Sequence, residues 1–413
     1  MAKLHRPLSR RVVLAGASAA VAAGIMPRRA HAALAPLKVG VIHPTSGFMA
    51  MIGQICNRGA VVAPAILKDL GYPDLEIVYG DTESNPDIAR AAGERLIDGG
   101  AQILVGAFDS GQTTTLAQTA EQRKIPLMID IAGAPQITEQ GYQYVFRNFP
   151  RAPDIVGGAL NVHKLVFAAS GKTPSKVVCL YRNDTYGNAI KGALDAMVPK
   201  FDMPYKIVEF IAYDPQSRDL SVEVAKAKAT DAEVVLAVSV ANDAILLTRE
   251  MVKQRWEPWG VLSAGPGWYD QSYRKALGKL GNYVISTVPW HDPRKKLTQL
   301  MLQALDKKYP GEAVDSSTAY VFEALLIVAD AYKRAGSAAP QALVEALRAT
   351  NIPASDSITI GNGKGIFFDA KGQVNGIPMA GVQNQDGLPK VVLPLASAEA
   401  NLVFPVPGWQ ARV

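Results

Sequence analysis

The sequence predicts an α/β protein of two lobes. Three observations carry this: short apolar runs alternate with helical segments, the alternation starts afresh midway, and the last third is a helix-rich return. In the first block, Leu37–Ile42 reads as a buried strand, and Gly53–Leu70 as an apolar-faced helix kinked at Pro64. Leu75–Tyr79 is the next strand. Ser84-Asn85-Pro86 then supplies a cap and a first-turn proline for a helix running to about Asp98. Ile103–Ala107, a helix near Thr113–Arg123 and the strand Pro126–Asp130 complete the block.

The second block repeats the pattern. Lys176–Tyr181 leads to a helix from about Gly187, Tyr205–Phe210 to one around Ser217–Ala229, and Glu233–Val238 to one around Asp243–Gln254. The return comprises helices at Lys295–Tyr309, Ser316–Ala335 and Pro340–Ala349, short strands near Ile366–Phe368, and a tail rich in proline and glycine. Strands separated by helices of this length imply parallel sheets, and two such blocks with a helical return imply lobes sharing discontinuous segments.

The N-terminus reads as an export leader. Arg10 and Arg11 precede an apolar run from Val12 to Met26, and Ala30-His31-Ala32 offers small residues for cleavage. The paired arginines resemble a twin-arginine address, so residues 1–32 are expected to leave a soluble periplasmic protein. The run is about 15 residues, short of the roughly 20 a membrane helix needs, and no later segment is expected to reach that length. The six leader cations Lys3, Arg6, Arg10, Arg11, Arg28 and Arg29 account for the whole net charge of +6, since 43 − 6 leaves 37 basic residues against 37 acidic. A neutral body carries no electrostatic footprint for nucleic acid or anionic membrane.

Ligands of parallel α/β sheets bind beyond the carboxyl ends of strands, so those loops are the candidate sites. His43–Gly53 follows the first strand, Phe108–Thr115 the third and Asp130–Pro135 the fourth. Hydroxyls and free N–H groups at a helix start suit a carboxylate, although Asp109, Ser110 or a threonine can equally serve as an ordinary cap. His43, His163 and His291 show no metal-ligand spacing, and no nucleophile elbow, phosphate loop or Cys-x-x-Cys occurs. No catalytic residue, metal or cofactor is expected. Cys56 and Cys179 are expected as buried free thiols.

Val39–Ile42 with Thr45-Ser46-Gly47 and Gly53, Leu104–Gly106 with Ser110-Gly111, Ile125–Leu127, Thr138 to Gly141–Arg147, and Asp184–Gly187 occur in an order that resembles the Leu/Ile/Val-type substrate-binding proteins of ABC transporters. The resemblance spans about residues 37–370. It implies a periplasmic-binding-protein type I fold: two Rossmann-like αβα lobes with mainly parallel sheets and a three-segment hinge. Residues 37–150 and 290–368 would form lobe 1, and residues 151–289 and 369–413 lobe 2. Crossovers are expected near Phe149–Pro153, Val288–Pro293 and Phe368–Gly376. It further implies a non-enzymatic, monomeric receptor that closes on a small molecule and hands it to a membrane permease. A ligand-sensing regulator is the alternative, with a secreted hydrolase behind it.

By this resemblance Ser110 holds a ligand carboxylate and Tyr186 covers the ligand. Asp130, in a shortened partner loop, would repel an anion if it pointed inward. Gly265 or Pro266 stands where the family's amino-acid binders carry an acidic residue for the ligand ammonium. An unpaired buried ammonium would cost several kcal/mol, so a hydrophobic or aromatic acid is expected ahead of an α-amino acid. The candidate ligand-binding residues are Ser46, Phe48, Ile52, Phe108, Ser110, Gly111, Ala132, Gly133, Tyr186, Asn242, Gly265 and Trp268, with Met51, Tyr269 and Trp290 nearby.

Overall fold

The computed structural model describes residues 34–374 and 376–412, so the leader lies outside the described residues. The apolar runs, several with polar residues within or at their ends, form two sheets. The first holds β1 (Leu37–His43), β2 (Leu75–Asp81), β3 (Ile103–Gly106), β4 (Leu127–Ile129) and β5 (Val145–Arg147) in the order β2-β1-β3-β4-β5, all parallel. The second holds β6 (Lys176–Arg182), β7 (Lys206–Tyr213), β8 (Val234–Val238), β9 (Gly260–Ser263), β10 (Ile285–Val288), β11 (Ala380–Gln385) and β12 (Leu388–Leu393). Its order is β12-β11-β10-β9-β8-β6-β7, parallel except where β11 pairs with β10 and with β12. Strands such as β3 and β8 are buried at every residue, as expected where helices cover both faces of a parallel sheet.

Helices α1 (Ala50–Asp69), α2 (Pro86–Asp98) and α3 (Ser110–Arg123) follow the first strands. The Asn85 side chain caps α2 by accepting from the N–H groups of Asp87 and Ile88, with Pro86 in the first turn. Helices α4 (Ala152–Ser170), α5 (Thr185–Met197), α6 (Ser221–Ala229), α7 (Ala241–Lys253) and α8 (Gln271–Leu277) belong to the second sheet's side. The return contributes α9 (Lys296–Lys308), α10 (Ser316–Ala335) and α11 (Pro340–Arg348). The nearly all-buried α10 crosses α1 at Gly59, where an added Cβ would sit 2.2 Å from the carbonyl oxygen of Thr318. Only glycine permits that approach. The apolar stretch Gly47–Asp69, which includes α1, is long and apolar enough to cross a membrane, against the sequence expectation. Its mostly buried face marks it as a core helix here.

The chain passes between the sheets three times: after β5, after β10, and between Val374 and β11. The two faces of the second sheet carry separate apolar cores, and the first sheet has its own. Both cysteines are buried free thiols. The expected strands at Ile366–Phe368 are only isolated bridges, Ile352 to Ile366 and Phe368 to Val374. The tail instead forms the β11–β12 hairpin, turned by Asp386 and Gly387 at φ 53° and 75°.

Candidate functional site

The carboxyl ends of strands from both sheets converge on a largely apolar, partly open cavity. It contains about 680 Å³ of atom-free space, part of it continuous with solvent. That is within the roughly 300–1,000 Å³ of small-molecule sites.

The first sheet supplies Met49, Phe108, Asp109, Ser110, Ile131 and Gly133. Ser110 is the first residue of α3, three residues earlier than the sequence suggested, and Asp109 is the cap that accepts from the Gln112 N–H. The Ser110 hydroxyl oxygen accepts from the N–H of Ala134 at 3.3 Å, which leaves its own proton to donate. Phe108 adopts φ 68°, a strained value for a bulky side chain and one that clusters at ligand sites. Arg147, fully buried, holds the partner loop from behind. Its Nη1 donates to the carbonyls of Ala132 at 2.9 Å and Ala134 at 2.8 Å.

The second sheet supplies Arg182 from the end of β6, Asp184 and Tyr186 from the start of α5, Ser239 and Val240 after β8, and Ala264 to Pro266 after β9. Thr287 and Val288 come from β10. Tyr186 donates to the carbonyl of Ala264 at 2.8 Å and lies against Gly133 of the opposite wall, where an added Cβ would be 3.0 Å from its ring. Tyr269 closes the far end. Its hydroxyl lies 3.2 Å from that of Ser316, and its ring meets Trp290 edge-on at 5.3 Å.

Arg182 is the most constrained charge in the wall. Its Nε donates to Asp184 at 2.7 Å and its Nη1 to both oxygens of Asp243 at 3.2 and 3.1 Å, while Nη2 has no partner among the described residues. Burial alone would push this guanidinium down, but Asp243 and Asp184 hold it above its ordinary value. Thr287 likewise has a buried hydroxyl without a partner. Burial also raises the Asp109 carboxyl, and the nearby charge of Asp184 adds to the shift.

Of the candidate ligand-binding residues, Phe108, Ser110, Gly133, Tyr186 and Gly265 line the cavity, as does Tyr269 from those named nearby. Phe48 and Asn242 sit together on an outer groove, where Asn242 donates to the Phe48 carbonyl at 3.4 Å. Gly111 faces the outer rim. Ser46 is tied into its own loop, its N–H donating to Asp81 and its carbonyl accepting from Ser84. Ile52 is packed inside, Met51 is half exposed, and Ala132 offers only its carbonyl, to Arg147. Trp268 is core: it is fully buried beside Tyr273, because the short helical turn from Pro266 points it under the second sheet. Asp130 points away from the cavity. Its Oδ2 lies 2.7 Å from His43 Nε2, whose Nδ1 lies 2.7 Å from Asn57 Oδ1. Sequence reasoning missed Arg182, Ser239, Thr287 and Phe149, although three of them stand at or beside strand ends in the second sheet, where the rule used for the first lobe would have found them.

The family model for periplasmic binding proteins matches residues 36–387. The chain belongs to that family. A Leu/Ile/Val-binding protein homologue of Brucella abortus is 25% identical over 389 residues, covering 90% of this chain and 94% of that protein. Another homologue, from Brucella suis, is 25% identical over 404 residues, covering 94% and 97%. Among solved structures, a leucine-binding protein from Thermotoga maritima superposes with a TM-score of 0.74 at 19% identity, covering 86% of this chain and 97% of that one. A Rhodopseudomonas palustris ABC-transporter solute-binding protein in complex with benzoate gives 0.73 at 18%, covering 91% and 97%. At these identities the structures establish the two-lobed fold of this periplasmic binding protein, whose family consists of solute-binding proteins.

Proposed function

We propose that this protein is the periplasmic receptor of an ABC uptake transporter and that it binds a small carboxylate with a hydrophobic or aromatic body. The observation that carries this is the largely apolar cavity with Ser110 at a helix start and Phe108, Phe149, Tyr186 and Tyr269 around it. Ser110 donates to the carboxylate, the positive end of α3 faces it, and the rings cover the apolar body. The Thr287 hydroxyl offers a contact for a polar substituent. Residues 37–150 with 290–368, and 151–289 with 369–413, act as lobes that swing about the three crossovers. Ligand touching both lobes shifts the population to the closed form that a permease would recognise.

Neighbours bound to either class of ligand share the fold, among them the benzoate complex above and a Streptococcus pneumoniae branched-chain amino-acid binding protein in complex with isoleucine. The expected carboxylate for a ligand ammonium is missing at Gly265 and Pro266, but Asp109 and Asp184 line the cavity and give an amino acid a specific alternative. Asp184 is already engaged by Arg182 and by the N–H of Gly187. A thermal-shift panel of aromatic acids, hydroxylated aromatic acids, aliphatic acids and amino acids separates the readings. Stabilisation by leucine or valine alone overturns ours. Ser110→Ala is expected to weaken acid binding by about 1–3 kcal/mol, the loss of one hydrogen bond to a charged group, and an unchanged Kd removes Ser110 from the site.

A further inference from the structure

We infer that Arg182 is the second lobe's half of the carboxylate site, so that one ligand carboxylate is gripped by Ser110 from one side and by Arg182 Nη2 from the other. This rests on the carboxylate reading and sharpens it, because it makes full ligand charge a requirement for closure.

The guanidinium has five N–H groups in a rigid fork. Asp184 and Asp243 fix its Nε and Nη1, and each carboxylate is itself held: Asp184 by the N–H of Gly187, Asp243 by the Tyr213 hydroxyl at 2.7 Å and the N–H of Val240. The plane of the fork is therefore set, and Nη2 has no partner among the described residues, in a side chain that lines the cavity and is only 2% exposed. A buried charged donor without an acceptor is costly unless something supplies one. A carboxylate is the acceptor whose geometry and charge suit it best.

The position is right for sharing. Asp109, next to Ser110 in the chain, lies within electrostatic reach of both Arg182 and Asp184. Gly111 faces α5 so closely that an added Cβ would be 3.6 Å from Thr185 Oγ1. The N-termini of α3 and α5 thus meet across the cleft beside Arg182. The Arg182 charge is already matched by Asp184 and Asp243, so what a neutral ligand such as an amide or ester changes is the bond to Nη2, which becomes a weaker neutral one.

The test uses the mature protein and benzoate, its primary amide and the best acid from the panel, read by calorimetry. Arg182→Lys keeps a cation for Asp243 and Asp184 but removes the fork. It is expected to weaken the acid by roughly 10- to 150-fold and to narrow the preference for acid over amide. An Arg182→Lys protein that folds, binds the acid as tightly as wild type and discriminates as well overturns the inference while leaving the carboxylate reading intact. Should that variant not fold, a ligand-bound crystal structure of the wild-type protein decides: a carboxylate oxygen within hydrogen-bond distance of Nη2 supports the inference, and a carboxylate elsewhere in the cavity overturns it. If no acid lacking an ammonium binds and an amino acid does, the hydrophobic- or aromatic-acid reading itself fails.

Discussion

Arg147 offers the sharpest test of how the binding wall is built. It is fully buried at the end of β5 and makes four side-chain hydrogen bonds: Nη1 to the carbonyls of Ala132 and Ala134, Nη2 to Thr138 Oγ1 at 2.5 Å, and Nε to Gln373 Oε1 at 2.6 Å. Its main chain also joins the third crossover, donating to Gly372 and accepting from Val374. One side chain therefore fixes the Ile131–Ala134 loop and ties it to the crossover near residue 373. Arg147→Lys preserves the charge, but a single ammonium reaches at most two of these four acceptors. The two lost bonds, each worth about 1.5–3 kcal/mol to a charged donor, predict a loss of about 3–6 kcal/mol. For a chain of this size that is a fall in Tm of roughly 4–8 °C. Calorimetric melting reads it directly, and ligand affinity should weaken in parallel as the loop loosens. Arg151→Lys is the control, since Arg151 pairs with Asp154 and Glu139 at the surface and should shift stability by less than about 1 kcal/mol. If Arg147→Lys melts within 2 °C or so of wild type, the clamp assigned to Arg147 is wrong.

Two further outcomes follow from the same geometry. Gly133→Val places methyl groups where a single Cβ would already lie 3.0 Å from the Tyr186 ring, so overpacking of about 1–3 kcal/mol should oppose closure. Ligand affinity should drop roughly 5- to 150-fold with little change in apo Tm, whereas Gly192→Ala, with open space around it, should leave affinity alone. Burial pushes the Glu323 carboxyl up to about 7, against help from the Ile358 N–H and the Ser357 hydroxyl, and its Oε2 has no partner. The fold favours the neutral acid, so this group's contribution is fully present below about pH 4.5 and is lost as pH rises through about 7. Glu323→Gln should therefore match wild type near pH 4 and exceed it by up to about 3 kcal/mol at pH 8. A stability gap independent of pH would sink that account.

The fold was legible because the buried parallel strands are unbroken apolar runs and several helices announce their ends, as at Asn85-Pro86. Short strands such as Gly260–Ser263 and Val145–Arg147 carry too few residues for a period, and the β11–β12 hairpin was passed over although Asp386-Gly387 is a strong turn signal. The site was half legible. Ser110, Gly133 and Tyr186 stand in recognisable loops, but whether an apolar residue beside a loop faces the cavity or the core depends on a local turn. Trp268 and Tyr269 are neighbours with opposite fates for that reason. Asp130 was feared as a repelling charge, and only tertiary structure shows it turned toward His43. Arg182 gives no motif at all: its importance lies in the one nitrogen that Asp184 and Asp243 leave over.

Closure, as proposed, would limit which ligands this cavity can serve. Polar contacts across the cleft include Asn242 with the Phe48 carbonyl at 3.4 Å, Tyr269 with Ser316 at 3.2 Å, and Lys275 with Glu312 at 3.9 Å. The first two are neutral hydrogen bonds worth about 0.5–1.5 kcal/mol each at most. The third is an exposed pair worth about 1 kcal/mol or less. Such contacts hold the lobes together only weakly, so the ligand must supply most of the bias. Moving a two-state equilibrium from 1:99 to 99:1 takes about 5.5 kcal/mol of differential binding. On the proposed reading, a carboxylate shared by Ser110 and Arg182 would contribute about 3–6 kcal/mol at 1.5–3 per charge-assisted bond, and a buried ring against Phe108 and Tyr186 would add the rest. An alcohol of the same shape would keep the ring and lose the charge. It would occupy one wall without drawing the other across, and that difference is what would let a permease distinguish a loaded receptor from an empty one.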